Sequence, residues 1–205
     1  MDYPLALLIG TLVAFVGILL PGMLNMTAVS VSVKNGKRAG MLFAAGMAFT
    51  TSVQAFIAFG SADYLRRHAD VLEKIHSFAF FLFLLLALIF ISKGKSTQTI
   101  KTKAISRRKL FGGGMGMGFL NALSILYFFA IGTVLTSRDV IQTGIFSVLF
   151  FSLGAGIGAF LVFWIYINTA GWISQNADWF TRNMNYVIGG FFIFLASLQG
   201  YFMLG

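Results

Sequence analysis

The 205-residue chain has no cysteine, only two prolines and only six acidic residues. Without cysteine it has neither disulfides nor thiolate metal sites. Charged residues make up 10% of the chain, where a soluble domain carries about a quarter. That shortage excludes a soluble globular domain. The chain is also too short to append one to a membrane bundle.

What is present is apolar. Hydrophobic residues make up 58% of the chain and mean hydropathy is +0.87. No Asp, Glu, Lys or Arg interrupts residues 3–33, 39–62, 75–92, 110–137, 140–177 or 183–205. Each run is long enough for a hydrocarbon core of about 30 Å, which needs about 20 helical residues or slightly fewer. The apolar character is continuous, whereas a membrane strand would alternate. The sequence therefore predicts an all-α, polytopic membrane protein with six transmembrane helices.

The net charge of +9 reads as topology rather than as a nucleic-acid partner. Lys34, Lys37, Arg38, Lys93, Lys95, Lys101, Lys103, Arg107, Arg108, Lys109 and Arg182 fall on one side of a six-span arrangement. Arg66, Arg67, Lys74 and Arg138 fall on the other, diluted by Asp63, Asp70, Glu73 and Asp139. Positive loops stay cytoplasmic, so both termini are predicted outside. Asp2 precedes the first apolar run with no basic residue, so that run reads as a membrane helix rather than a signal peptide.

The basic, aperiodic segment 93–111 reads as a flexible cytoplasmic linker, with binding to anionic lipid heads as a secondary role. It separates a first three-helix repeat, residues 1–92, from a second, residues 112–205. Three is odd, so the second triplet enters the membrane from the opposite face, which is the arithmetic of an inverted repeat. A sequence echo falls where such a repeat would place it. Gly22-Met-Leu-Asn25 in the first span matches Gly118-Phe-Leu-Asn121 in the fourth, and Gly36 and Gly132 follow at equal spacing.

The first run is too long for one perpendicular helix, since about 30 residues at ~1.5 Å each extend ~45 Å. Pro21-Gly22 lies near its middle, and a ring without an N–H breaks the helical ladder there. Freed backbone groups in a membrane need partners in protein or in a water-filled cavity. The residues predicted to bind solute are Pro21, Gly22 and Asn25, meeting Gly118 and Asn121 near the midplane. Thr50, Thr51 and Gln54 in the second span, and Ser124 and Tyr127 on the Asn121 face, would line the path. The alternative is a proline kink shaped for packing, with Asn25 bonding across helices. Thr and Ser are cheap in a membrane helix because they bond their own carbonyls, whereas Gln54 needs a partner. Asn168 and Gln199, near span ends, suit interfaces. The fifth run is also over-long, and residues 171–178 are read as its polar exit.

Several features are read as structural. Gly114 with Gly118, and Gly154 with Gly158, are spaced for close helix contact, which permits a homodimer. The glycine run 112–118 lacks the Lys and Ser/Thr of a phosphate loop. His68 and His76 read as interfacial anchors. No metal-ligand spacing and no Ser/His/Asp set at membrane depth is evident, so no enzyme, metal or cofactor is expected.

Pro21-Gly-Met-Leu-Asn25, Gly36-Lys-Arg-Ala-Gly40 and Ala44-Ala-Gly46 together resemble the first half of the LysE-type translocators, the LysE/RhtB amino-acid exporters. Asn121-Ala-Leu-Ser-Ile-Leu-Tyr-Phe128 is similar to their second-half Asn-Pro-Lys segment. The resemblance implies a multi-pass exporter of the bacterial inner membrane. Its partner would be a small polar solute such as an amino acid, moved by alternating access and driven by the proton gradient. The alternative is a non-transporting membrane partner or structural subunit that keeps the exporter fold. Two departures carry expectations. Met23 replaces the second proline of Pro-Gly-Pro, implying a milder first break. Ala122 and Leu123 stand where the family has Pro and Lys, implying loss of a second break and of a buried positive charge.

Overall fold

The computed structural model describes residues 3–20, 22–61, 69–93, 109–121, 123–141, 144–175 and 184–204. Pro21, Arg66, Arg67, His68, Ala122, most of the basic linker and Arg182 lie outside them. Among the described residues the regular structure is helical, with no strand. The helices are α1 (Tyr3–Leu19), α2 (Met23–Asn35), α3 (Lys37–Gly60), α4 (Ala69–Lys93), α5 (Leu110–Phe119), α6 (Leu123–Ser137), α7 (Ile145–Asn168), α8 (Ala170–Gln175) and α9 (Met184–Leu204).

Both faces of these helices are apolar. Leu8, Leu12, Val16 and Leu19 form an exposed stripe along α1, opposite buried Ala6 and Ala14. Ile145, Leu149, Leu153, Ile157 and Leu161 do the same on α7. A helix that is apolar on its outer face as well as its inner one is solvated by lipid rather than water. Among the described residues, α3 and α7 are each long and apolar enough to cross a membrane, and the number rises to four if each bent pair, α1–α2 and α5–α6, is one span. Residues Phe80–Ser92 form a shorter apolar helix.

Two compact units emerge. One holds α1–α3 and α5–α8. In lipid there is no hydrophobic drive between helices, so close backbone approach has to supply the attraction. Glycines provide it at two seams. Where α1 meets α7, a Cβ on Gly10 would overlap the Phe151 carbonyl, and one on Gly154 or Gly158 would overlap the carbonyl of Leu7 or Thr11. Where α3 meets α5, a Cβ on Gly46 or Gly114 would overlap the carbonyl of Phe111 or Phe43. Helix α3 also packs on α7, around buried Phe43, Met47, Phe163 and Ile167. Phe59 of α3 stacks on Phe151 of α7 with centroids 4.4 Å apart.

The second unit pairs α4 with α9. Phe192 stacks between Phe83 and Phe90 at 6.0 and 5.8 Å, and Gly189 makes room for Ile91.

Both lead segments are broken. The bend between α1 and α2 is 81°, and that between α5 and α6 is 62°. The first bend forms with Met23 in place of a second proline, and side chains take over the freed carbonyls. The expected loss of the second break is corrected: helix stops at Phe119 and resumes at Leu123 without a proline. The over-long fifth run ends as a spanning helix at Asn168, and α8 follows after Thr169. Gly36 and Gly132, matched in sequence, differ in role. Gly36 ends α2 at φ +88° and ψ 159°, whereas Gly132 sits inside α6 against Phe59. The Gly36 conformation is essentially restricted to glycine. Gly36→Ala is expected to cost about 1–3 kcal/mol, read as a lower midpoint in tryptophan-monitored unfolding of detergent-purified protein.

Candidate solute site at two broken helices

Ending α1 at Leu19 strips the last carbonyls of that helix of their intrahelical donors. In hydrocarbon such groups cost several kcal/mol each unless they are bonded. Two side chains supply donors. Asn25 lies in the first turn of α2, and its Nδ2 donates to the Ile18 carbonyl at 2.8 Å and to the Leu20 carbonyl at 2.9 Å. Tyr166 of α7 donates its hydroxyl to the Leu19 carbonyl at 2.9 Å and also interacts with the Asn25 side chain. Asn25 is 2% exposed, and its Oδ1 is buried without a hydrogen-bond partner. Gly22 caps α2 in an extended conformation and accepts the Met26 N–H at 3.0 Å.

The second break is served from a neighbouring helix. Gln54 of α3, 2% exposed, donates Nε2 to the Gly118 carbonyl at 3.2 Å and to the Asn121 carbonyl at 3.4 Å. The Thr50 hydroxyl reaches the Met115 carbonyl at 3.2 Å. Asn121 is half-buried; its Nδ2 donates to the Ser124 hydroxyl at 2.6 Å, and its carbonyl accepts the Ser124 N–H at 3.1 Å. Gly118 admits Thr50, whose Cβ would lie 2.8 Å from a Cβ added there.

Tyr127 of α6 ties the second lead segment to the first. Its hydroxyl donates to the Val13 carbonyl at 2.8 Å, and its ring fills the space that a side chain on Gly17 would occupy. The aromatic ring and the tyrosine hydroxyl of the same residue thus serve different needs, packing and carbonyl bonding.

The predicted residues sort into groups. Gln54, Thr50, Gly118, Asn121 and Ser124 are brought together at the second break. Asn25 and Gly22 sit at the first, Tyr127 packs on α1, and Pro21 lies outside the described residues. No hydrogen bond joins Asn25 to Asn121 among the described residues; each serves its own break. Thr51 bonds only its own helix, at the Met47 carbonyl, 3.1 Å away. Asn168, the last residue of α7, accepts from Lys37 at 3.3 Å, as a span-end residue would. Sequence reasoning missed Tyr166. Its signal was a hydroxyl-tipped aromatic deep in the fifth run. A shallow groove of about 410 Å³ lies between the end of α3 and the start of α7, lined by Phe56, Ile57, Gly60, Ser61, Ile145 and Val148; none of the predicted site residues lines it.

Among the described residues no group of three His, Asp or Glu side chains could hold a metal ion. The side chains described at the two breaks are uncharged and offer amides and hydroxyls beside the backbone carbonyls. Comparison with protein families matches the chain to the LysE type translocator family over residues 15–201. No curated protein and no solved structure matches the chain.

Proposed function

Starting from the fact that this chain belongs to the LysE type translocator family, we propose that it exports amino acids or related small polar metabolites across the bacterial inner membrane. In this reading α4 and α9 complete six spans, both termini lie outside, and transport proceeds by alternating access coupled to the proton gradient. Residues 1–92 and 112–205 act as inverted repeats joined by the linker 93–111.

The observation that carries the reading is the pair of breaks. Each interrupts a lead segment within or beside its Gly-x-Leu-Asn element, and each leaves carbonyls capped by exchangeable side-chain donors. Unwound backbone at membrane depth is tolerated where it is buried in protein or lines a solute path. The helix contacts support the repeat. Exchanging the halves maps α1–α2 onto α5–α6, α3 onto α7 and α4 onto α9. The α1–α7 and α3–α5 contacts then change places, and the α3–α7 and α4–α9 contacts map onto themselves. Solute would meet Pro21, Gly22 and Asn25 at one break and Gly118, Asn121 and Ser124 at the other, with Thr50, Thr51, Gln54 and Tyr127 along the way.

The complete burial of Asn25 and its bonds to its own chain favour one rival, a non-transporting membrane partner that keeps the fold. Loading cells with amino-acid-yielding dipeptides separates the two. Expression is expected to raise the initial efflux of at least one released amino acid several-fold over cells lacking the protein. Equal efflux across a broad panel, with the protein present in the membrane, would remove the exporter reading for those solutes.

A further inference from the structure

Helices α3 and α7 pack antiparallel, with Lys37 near Asn168 and Phe59 on Phe151. Exchanging the halves of an inverted repeat maps each helix onto the other, so the two ends of the pair should look alike. They do not. At the basic end, Lys37, the first residue of α3, donates its ammonium to Oδ1 of Asn168, the last residue of α7, at 3.3 Å. At the opposite end the counterparts are Gly60 and Ile145, and neither has a polar side chain. Ser61 there donates its hydroxyl back to its own helix, to the Ile57 carbonyl at 2.7 Å. A groove of about 410 Å³ lies beside them.

The bond at the basic end is set up from both sides. Nδ2 of Asn168 donates to the Trp164 carbonyl at 2.8 Å, which leaves Oδ1 as the end that meets Lys37. A lysine at the start of a helix stands at the positive end of its own dipole; here it reaches across to the negative end of α7. Gly36 fixes where that lysine stands. Its positive φ ends α2, and its carbonyl accepts the Ala39 and Gly40 N–H groups at 3.0 and 3.1 Å to start α3. Gly40 is so close to α2 that an added Cβ would lie 2.8 Å from the Ser32 Cβ. The cation is thus carried on a tight hairpin. Beneath it, buried Phe43 and Ala44 of α3 share a core with Phe163 and Ile167 of α7.

We propose that Lys37 and Asn168 form a latch between the two halves of the chain, which holds the basic end of the α3–α7 pair shut while the groove at the opposite end stays open. The proposal rests on the inverted-repeat transporter reading and adds to it which contact between the halves has to part. An exposed pair of this kind shifts an equilibrium by about two- to fivefold. That is enough to bias two conformations without freezing either.

The chain has no cysteine, so a single introduced cysteine is a unique reporter in the full chain reconstituted into proteoliposomes. Ala44→Cys, at a fully buried position, reports the basic end, and Ser61→Cys reports the groove. The readout is the rate of labelling by a small thiol reagent. Adding Lys37→Met, which keeps the apolar stem and removes the donor, is expected to raise labelling in Ala44→Cys about two- to fivefold and to lower it in Ser61→Cys. Lys37→Arg keeps a cationic donor and should leave both rates near those with Lys37 in place. A general loosening of the fold would raise both rates, and a bond without influence would change neither; each result overturns the latch. In a second arm, Lys37→Cys and Asn168→Cys are combined and joined by a short, cleavable bifunctional thiol reagent. Bridging is expected to cut efflux of the amino acids released in the dipeptide assay at least tenfold, and cleavage to restore it. Undiminished efflux from bridged protein overturns the latch and leaves the transporter reading intact. Opposite rate changes at the two reporters in a chain that moves no solute overturn the transporter reading and leave the latch.

Discussion

Gly154→Ala is expected to destabilise the protein by about 2–3 kcal/mol, whereas Gly116→Ala should be neutral or stabilising by up to about 1 kcal/mol. Both are helical glycines in apolar helices and both changes add one methyl group. The difference lies in what the methyl meets. At position 154 it overlaps the Leu7 carbonyl and approaches the Thr11 nitrogen to 3.0 Å, whereas at position 116 it meets nothing within 4 Å. A backbone carbonyl cannot rotate away as a side chain can, so α1 and α7 must separate along their length. Contacts at Gly10 and Gly158 would loosen with it. At position 116 the methyl only removes the conformational freedom that makes glycine a poor helix residue. Tryptophan-monitored unfolding of the two variants side by side measures this. Similar losses from both would mean that the close α1–α7 seam is not what holds this unit together.

The same comparison shows where the sequence was informative and where it was not. The helical class, the membrane setting and the Gly154–Gly158 contact follow from apolar runs and four-residue spacing, signals that need no partner helix to interpret. The glycine run 112–118 carries the same four-residue spacing at Gly114 and Gly118, and it reads in the same way. Gly114 and Gly118 meet a neighbouring helix, whereas Gly112 and Gly116 face open space. Which stripe of a glycine-rich helix faces α3 depends on rotation about the axis, and that is set by Phe43, Met47 and Thr50 on the other helix.

Local rules misjudged the second break. Proline is a backbone signal visible in one residue, so the first break was legible at Pro21-Gly22. The second has no such marker. It arises where a glycine-rich helix of low intrinsic stability runs into Asn121, whose side chain and carbonyl both bond Ser124 instead of continuing the ladder. The carbonyls left over are bonded from α3, 64 and 67 residues away in sequence. A break stabilised at such a distance leaves no local trace. Tyr166 was overlooked for a related reason. Its value lies in the Leu19 carbonyl of another helix, and along its own run it is one more aromatic.

Gln54 offers the sharpest test of that long-range support. Gln54→Leu is nearly isosteric, so packing in the buried position is kept while both donated hydrogen bonds are lost. Gly118 and Asn121 each retain one backbone donor, from Asn121 and Ser124 respectively, so the carbonyls are left half-satisfied rather than orphaned. The expected stability loss is therefore about 1–3 kcal/mol, below the cost of two orphaned carbonyls. The larger effect should fall on transport. With its tether to α3 gone, the α5–α6 break can straighten by forming the helical bonds that Gln54 now replaces, and efflux of any transported solute is expected to fall about tenfold or more, since a 1.4 kcal/mol bias between two conformations is already tenfold. Gln54→Glu, protonated in so buried a setting, keeps one donor and should recover part of the flux. Efflux in proteoliposomes, with unfolding measured on the same preparations, distinguishes the two consequences. A leucine variant that unfolds at wild-type denaturant and still transports at the wild-type rate would show that the second break stands without α3.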